Sequence, residues 1–119
     1  NRNQALAGKP EAAELVKASE GVVTKAFDLE KRLHNPTAEV TYDILAMRGG
    51  AMLYSRLAPL VMWASEGVGA PTASMREVFA AQKAELDALA AEVRALMGGP
   101  VADLNRQAAA LGLGYVIPK

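Results

Sequence analysis

No cysteine occurs in this sequence, which excludes disulfide staples, thiol nucleophiles and cysteine-based metal sites and leaves the redox compartment unread. Aromatic residues are scarce at 5% of the chain, so a core must be assembled from Leu, Val, Ala and Met, a palette that favours helices over sheets. Charge of one sign is missing as well. The 13 Lys and Arg are matched by 13 Asp and Glu, so no net field draws nucleic acid, an anionic membrane or a polyanionic substrate. Neither a signal-peptide apolar stretch nor a run near the ~20 residues that cross a bilayer is present, and no membrane insertion is expected. The single histidine, His34, cannot supply the two Glu-x-x-His pairs of a helical di-metal site, and no metal or other cofactor is expected.

What is present is helical periodicity. The 119 residues suit one helical domain, 1–119, and the start at Asn1 rather than Met leads us to expect a piece excised from the C-terminal part of a larger protein. Pro10, at a first-turn position and followed by Glu11 and Glu14, opens a helix predicted over 10–33. Its seam is Ala12, Leu15, Ser19, Val22, Ala26, Leu29 and Leu33, with three-and-four spacing and one polar member. His34-Asn35-Pro36-Thr37 breaks the pattern, because the residue before a proline is pushed out of the helical region and Asn favours turns.

A second helix is predicted over 38–66 with seam Val40, Ile44, Met47, Ala51, Tyr54, Ala58 and Val61, broadened by Leu45, Leu53, Leu57 and Leu60. Gly49, Gly50 and Pro59 interrupt it. They are expected to weaken or kink the helix, with the glycine pair marking a close approach of another backbone to it. Residues 67–71 form a glycine-and-proline loop, after which Thr72 or Ser74 caps a third helix over 73–97, Ser74 and Glu77 standing at capping-box spacing. Its seam is Met75, Phe79, Gln82, Leu86, Leu89, Val93 and Leu96. Gly98 and Gly99 are expected to end that helix. Pro100 then begins a short fourth over 100–111, with Val101, Leu104, Ala108 and Leu111 on one face and Gly112 as its stop.

Three matching seams with short connections predict an all-α, up-down-up bundle of three long helices plus the short fourth. Aligning the seams brings Ser19, Tyr54 and Gln82 into one layer, expected as a buried polar core layer that fixes register; a layer that contacts a ligand is the other reading. Motifs for catalysis are missing. No serine sits in a nucleophile elbow, no glycine loop has phosphate-binding spacing, and His34 reads as an end-of-helix residue that interacts with the dipole. Arg48, Arg56 and Arg76, with Asp43 and Glu77, would suit a pocket for a small anion, but the balanced charge favours solvated faces and surface pairs such as Asp28 with Arg32 and Lys83 with Asp87.

Tyr42-Asp43-Ile44, then Gly49-Gly50-Ala51, Leu53-Tyr54, and the loop 69–72 leading to Met75, Glu77 and Gln82 carry a likeness. They resemble the helical C-terminal region that follows the β-propeller in large bacterial BNR-repeat or sortilin (VPS10)-type proteins classed as glycosyl hydrolases. Pro59 departs from that pattern. The resemblance implies export to the periplasm or medium and a parent whose chemistry resides in the propeller. It carries no catalytic residue onto this chain, since the Asp-box repeats that mark a propeller do not occur in it.

The expected function is therefore a non-catalytic accessory domain that mediates interaction or oligomerisation, its partner being the parent β-propeller, another protein chain, or a second copy in a homodimer. Helices with apolar faces wider than a three-helix core needs support it. The alternative is a small helical ligand-binding or enzyme domain built on the layer at Ser19, Tyr54 and Gln82.

Overall fold

The computed structural model describes residues 2–38 and 49–114. Among these residues the chain is helical and has no strand: α1 is Arg2–Leu6, a 3₁₀ turn spans Pro10–Ala12, α2 is Ala13–Leu33, α3 Leu53–Glu66, α4 Ala73–Leu96, and α5 Ala102–Ala110, joined to α4 by a π-helical turn at Met97–Val101. No helix among them is long and apolar enough to cross a membrane. The chain divides into two compact units, one made of Asn1–Phe27 with Glu92–Lys119 and the other of Asp28–Ala91, so the division falls inside α2 and inside α4.

In the first unit, α2 and α5 build the core. Leu15 and Val22 of α2, seven residues apart and so on one face, cluster with Val101, Leu104 and Ala108. Leu6, Ala18, Leu96 and Leu113 close over them. Ala12, Leu15, Ser19 and Val22 are all buried, the first four members of the predicted seam. The end of α5 also follows the sequence. Gly112 takes φ +67°, its N–H donates to the Ala109 carbonyl, and the Leu113 N–H reaches back to Ala108, a Schellman closure that brings the Leu113 side chain onto the core.

The junction before α5 corrects an expectation. Gly98 and Gly99 do not end the helix; the backbone widens into a π turn and passes Pro100 without leaving the helical region. A proline in a regular α-helix collides with the carbonyl four residues back, and the wider turn relieves that collision. A β-carbon at Gly98 or Gly99 would meet nothing within 4 Å, so space does not require glycine at either position.

In the second unit, α3 and α4 form an antiparallel hairpin across the connection 67–72, with residues 64 and 65 beside 71–76 and residue 56 opposite 85. Thr72 caps α4: its Oγ1 accepts the Met75 N–H at 3.2 Å, and its carbonyl accepts the Arg76 N–H. Ser74 instead stands inside the helix. Thr72→Ala is expected to remove about 1 kcal/mol of stability and to lower Tm by a few degrees, read by circular dichroism; an unchanged Tm would show that the cap carries no weight.

The second predicted helix needs the largest correction. Residues 49–52 are not helical, and α3 begins only at Leu53. Gly49 and Gly50 take φ of +97° and +72°, left-handed values that a right-handed helix cannot contain. Val40, Ile44, Leu45 and Met47 of the predicted seam lie outside the described residues, as do Asp43 and Arg48. The face of α3 is read from Leu53 onward. Leu53 and Leu60 are buried and Leu57 half-buried, whereas Tyr54 and Val61 face outward. The true face is thus turned by one residue, about 100° around the helix. Pro59 is carried inside α3, which runs through it to Glu66.

Candidate interaction site

The hairpin of the second unit has a groove along one side, with a volume of about 500 Å³. Leu57, Leu60, Val61 and Ala64 line it from α3, and Met75 and Phe79 from α4, with Pro71 closing one end. Residues 57, 61 and 64 repeat at four and three, and 75 and 79 stand four apart, so each helix presents one apolar ridge and the groove runs between the ridges. Both ridges are open to solvent: Val61 is 71% exposed and Phe79 is 51% exposed.

Polar groups at the groove are few, and most are already engaged. The Ser65 hydroxyl donates within its own helix, to the Val61 and Met62 carbonyls. Arg76, the only charged lining residue, donates from Nη1 to the Pro71 carbonyl and so braces the connection to α4. Farther along the hairpin, Arg56 Nη2 sits 2.8 Å from both carboxylate oxygens of Glu85 and ties α3 to α4. The pair is about 40% exposed on each side, so it fixes pairing more than it adds stability. Of the surface pairs expected on α2 and α4, Lys83 with Asp87 forms, and Asp28 pairs with Lys31.

The predicted polar layer comprises Ser19, Tyr54 and Gln82. Ser19 is buried in the first unit, whereas Tyr54 and Gln82 belong to the second. Tyr54 is 46% exposed and leaves the core; its ring meets His34 edge-on with centroids 6.0 Å apart, and the neighbouring Ser55 takes the buried position. The cause is the one-residue turn of the α3 face. Gln82 is half-buried, with an Oε1 shielded from solvent and without a hydrogen-bond partner among the described residues.

At Gly49 the close neighbour is the side chain of Asn35, and a β-carbon at Gly50 would meet nothing within 4 Å. A β-carbon at Gly49 would stand 3.1 Å from Asn35 Nδ2. Asn35 is buried in the turn after α2, where its Nδ2 donates to the Gly50 carbonyl at 3.0 Å and its Oδ1 accepts the Thr37 N–H and hydroxyl. This Asx turn clamps the segment that leads into α3, a role that sequence reading of 34–37 as a simple break overlooked. The signal was there in Asn-Pro-Thr, because Asn two residues before a hydrogen-bonding Thr closes such a turn.

The lining of the groove contains neither a base nor a second nucleophile beside Ser65, and among the described residues no three His, Asp or Glu side chains converge as metal ligands would. Chemically, the arrangement can bury apolar surface. No protein-family model matches the chain, and no curated protein and no solved structure is significantly similar to it.

Proposed function

We propose that the chain is a non-catalytic helical interaction domain and that the groove between α3 and α4 is its docking face. The observation that carries this reading is the exposure of Val61 and Phe79 on the walls of an apolar groove whose only charged lining residue is Arg76. Apolar side chains scattered singly on a surface need no explanation, but ridges facing each other across a groove are the form taken by helix-binding sites. The accessory role beside a β-propeller, and export with it, rest on the sequence likeness alone. The up-down-up packing of all the long helices belongs to the same proposal, supported by the short connection and antiparallel pairing of α3 with α4.

An environment-sensitive apolar dye such as anilinonaphthalene sulfonate, added to the chain at sub-micromolar concentration, tests the docking face. Strong fluorescence is expected from the chain at neutral pH. It should fall several-fold in the double variant Val61→Glu, Phe79→Glu with far-ultraviolet circular dichroism and cooperative unfolding unchanged. Dye that does not bind, or binding that the two carboxylates leave intact, would sink the reading.

A further inference from the structure

We infer that the occupant of this groove is a second copy of the same hairpin, an inference that rests on the interaction reading above. An isologous contact needs one face that carries both a protrusion and the recess that receives it, since residue i on one copy must meet residue j on the other and the reverse. The groove meets that requirement. Val61 and Phe79 form its walls and are also the side chains that stand out from it, so one copy's ridge enters the other copy's groove.

The pattern along α4 agrees. Met75, Gln82 and Leu89 repeat every seven residues and are half-buried or buried, while Phe79 and Leu86, also seven apart, lie exposed beside them. That is a heptad seam with one of its two rows unpartnered, and facing two such hairpins across a two-fold axis converts two helix pairs into a four-helix arrangement.

Charge favours the same occupant. The net charge is 0, so two copies meet without long-range repulsion, and a near-neutral chain associates more readily than a charged one. A strongly charged peptide would find only Arg76 along the groove to pair with.

Area sets the strength. A phenylalanine that buries roughly 200 Å² in full offers about half of that here, and with Val61, Leu86 and the half-buried Leu57 and Met75 each copy presents on the order of 500 Å². Two copies would then bury about 1,000 Å² in all, at the lower limit for a specific contact and in the range of weak, reversible ones. The expected species is a dimer whose population rises through the micromolar range.

Sedimentation equilibrium of the full chain from about 1 to 200 μM tests this. The weight-average mass should climb from 12.5 kDa toward twice that value. Val61→Glu with Phe79→Glu should hold it at the monomer. Trp63→Glu, on α3 about 200° around the helix from Val61, should leave the dimer intact. Because the chain has no cysteine, Val61→Cys should also give a single symmetric cross-link with a short bis-maleimide. A strict monomer across this range overturns the inference, and so does a dimer that survives both carboxylates. A monomer that still binds the dye through Val61 and Phe79 fails the second-copy inference and keeps the interaction reading, its partner then being a different chain; a monomer that binds no dye fails both.

Discussion

Leu104→Ala is expected to lower the unfolding free energy by about 3 kcal/mol, within the range of roughly 2–5 kcal/mol for truncation of a fully buried leucine. Leu104 is 1% exposed and packs in the cluster with Leu15, Val22, Val101 and Ala108. Its helix, α5, has nine residues, follows α4 through the π turn and docks by this face on the core. The substitution therefore removes transfer energy, leaves a void that the small neighbour Ala108 cannot fill, and weakens the docking of α5. Against a total of about 5–15 kcal/mol for a domain of this size, that loss brings the first unit near its threshold. Urea unfolding followed by circular dichroism measures it. Limited proteolysis should show cleavage in residues 102–114 before the rest of the chain is attacked. A loss below about 1 kcal/mol would mean that the site collapses around the void or that α5 contributes little to the core.

The same cluster shows how far sequence alone reaches. Leu15, Ser19 and Val22 were readable on α2, and Ala12 in the turn before it, because nothing interrupts the helical period there. Thr72 and Gly112 were readable because a cap and a left-handed stop are local chemistry. Periodicity fails where phase is lost. Carrying one seam through Gly49 and Gly50 put Tyr54 in the core and Leu53 at its margin, whereas both glycines take positive φ and it is Leu53 that is buried and Tyr54 that is exposed. The alignment of Ser19, Tyr54 and Gln82 in one layer assumed that phase. At Gly98-Gly99-Pro100 the local signals predict a helix break, but the helix widens to pass them, and Leu96 and Val101 on either side pack on one core. The groove was half visible. Phe79 and Val61 were identified as seam residues, and only the structure shows that they are left uncovered. The pairing of Arg56 with Glu85, 29 residues apart, has no local signature at all.

Asn35→Ala is expected to cost about 2–4 kcal/mol, an effect out of proportion to a residue in a turn, because three hydrogen bonds at about 1 kcal/mol each converge on one buried amide. The side chain is 3% exposed. Its Nδ2 donates to the Gly50 carbonyl at 3.0 Å, while Oδ1 accepts from the Thr37 N–H at 3.0 Å and the Thr37 hydroxyl at 2.8 Å. Asn35→Asp separates the two ends of that clamp: it keeps the acceptor facing Thr37 but turns an oxygen toward the Gly50 carbonyl, so it should be at least as damaging as alanine. Gly49→Ala strains the same place from the other side, through a φ of +97° and a β-carbon 3.1 Å from Asn35 Nδ2. The backbone part of that cost, about 1–2 kcal/mol, is independent of Asn35, but the steric part disappears once the amide is gone. The double variant Asn35→Ala, Gly49→Ala should therefore be less destabilised than the sum of the singles, by on the order of 1 kcal/mol. Denaturant unfolding of the four proteins, with the single Trp63 as fluorescence reporter on α3, reads the cycle. Strict additivity would separate Gly49 from the Asn35 clamp, and a single-variant loss under about 0.5 kcal/mol at Asn35 would show that the turn before α3 is held by other contacts.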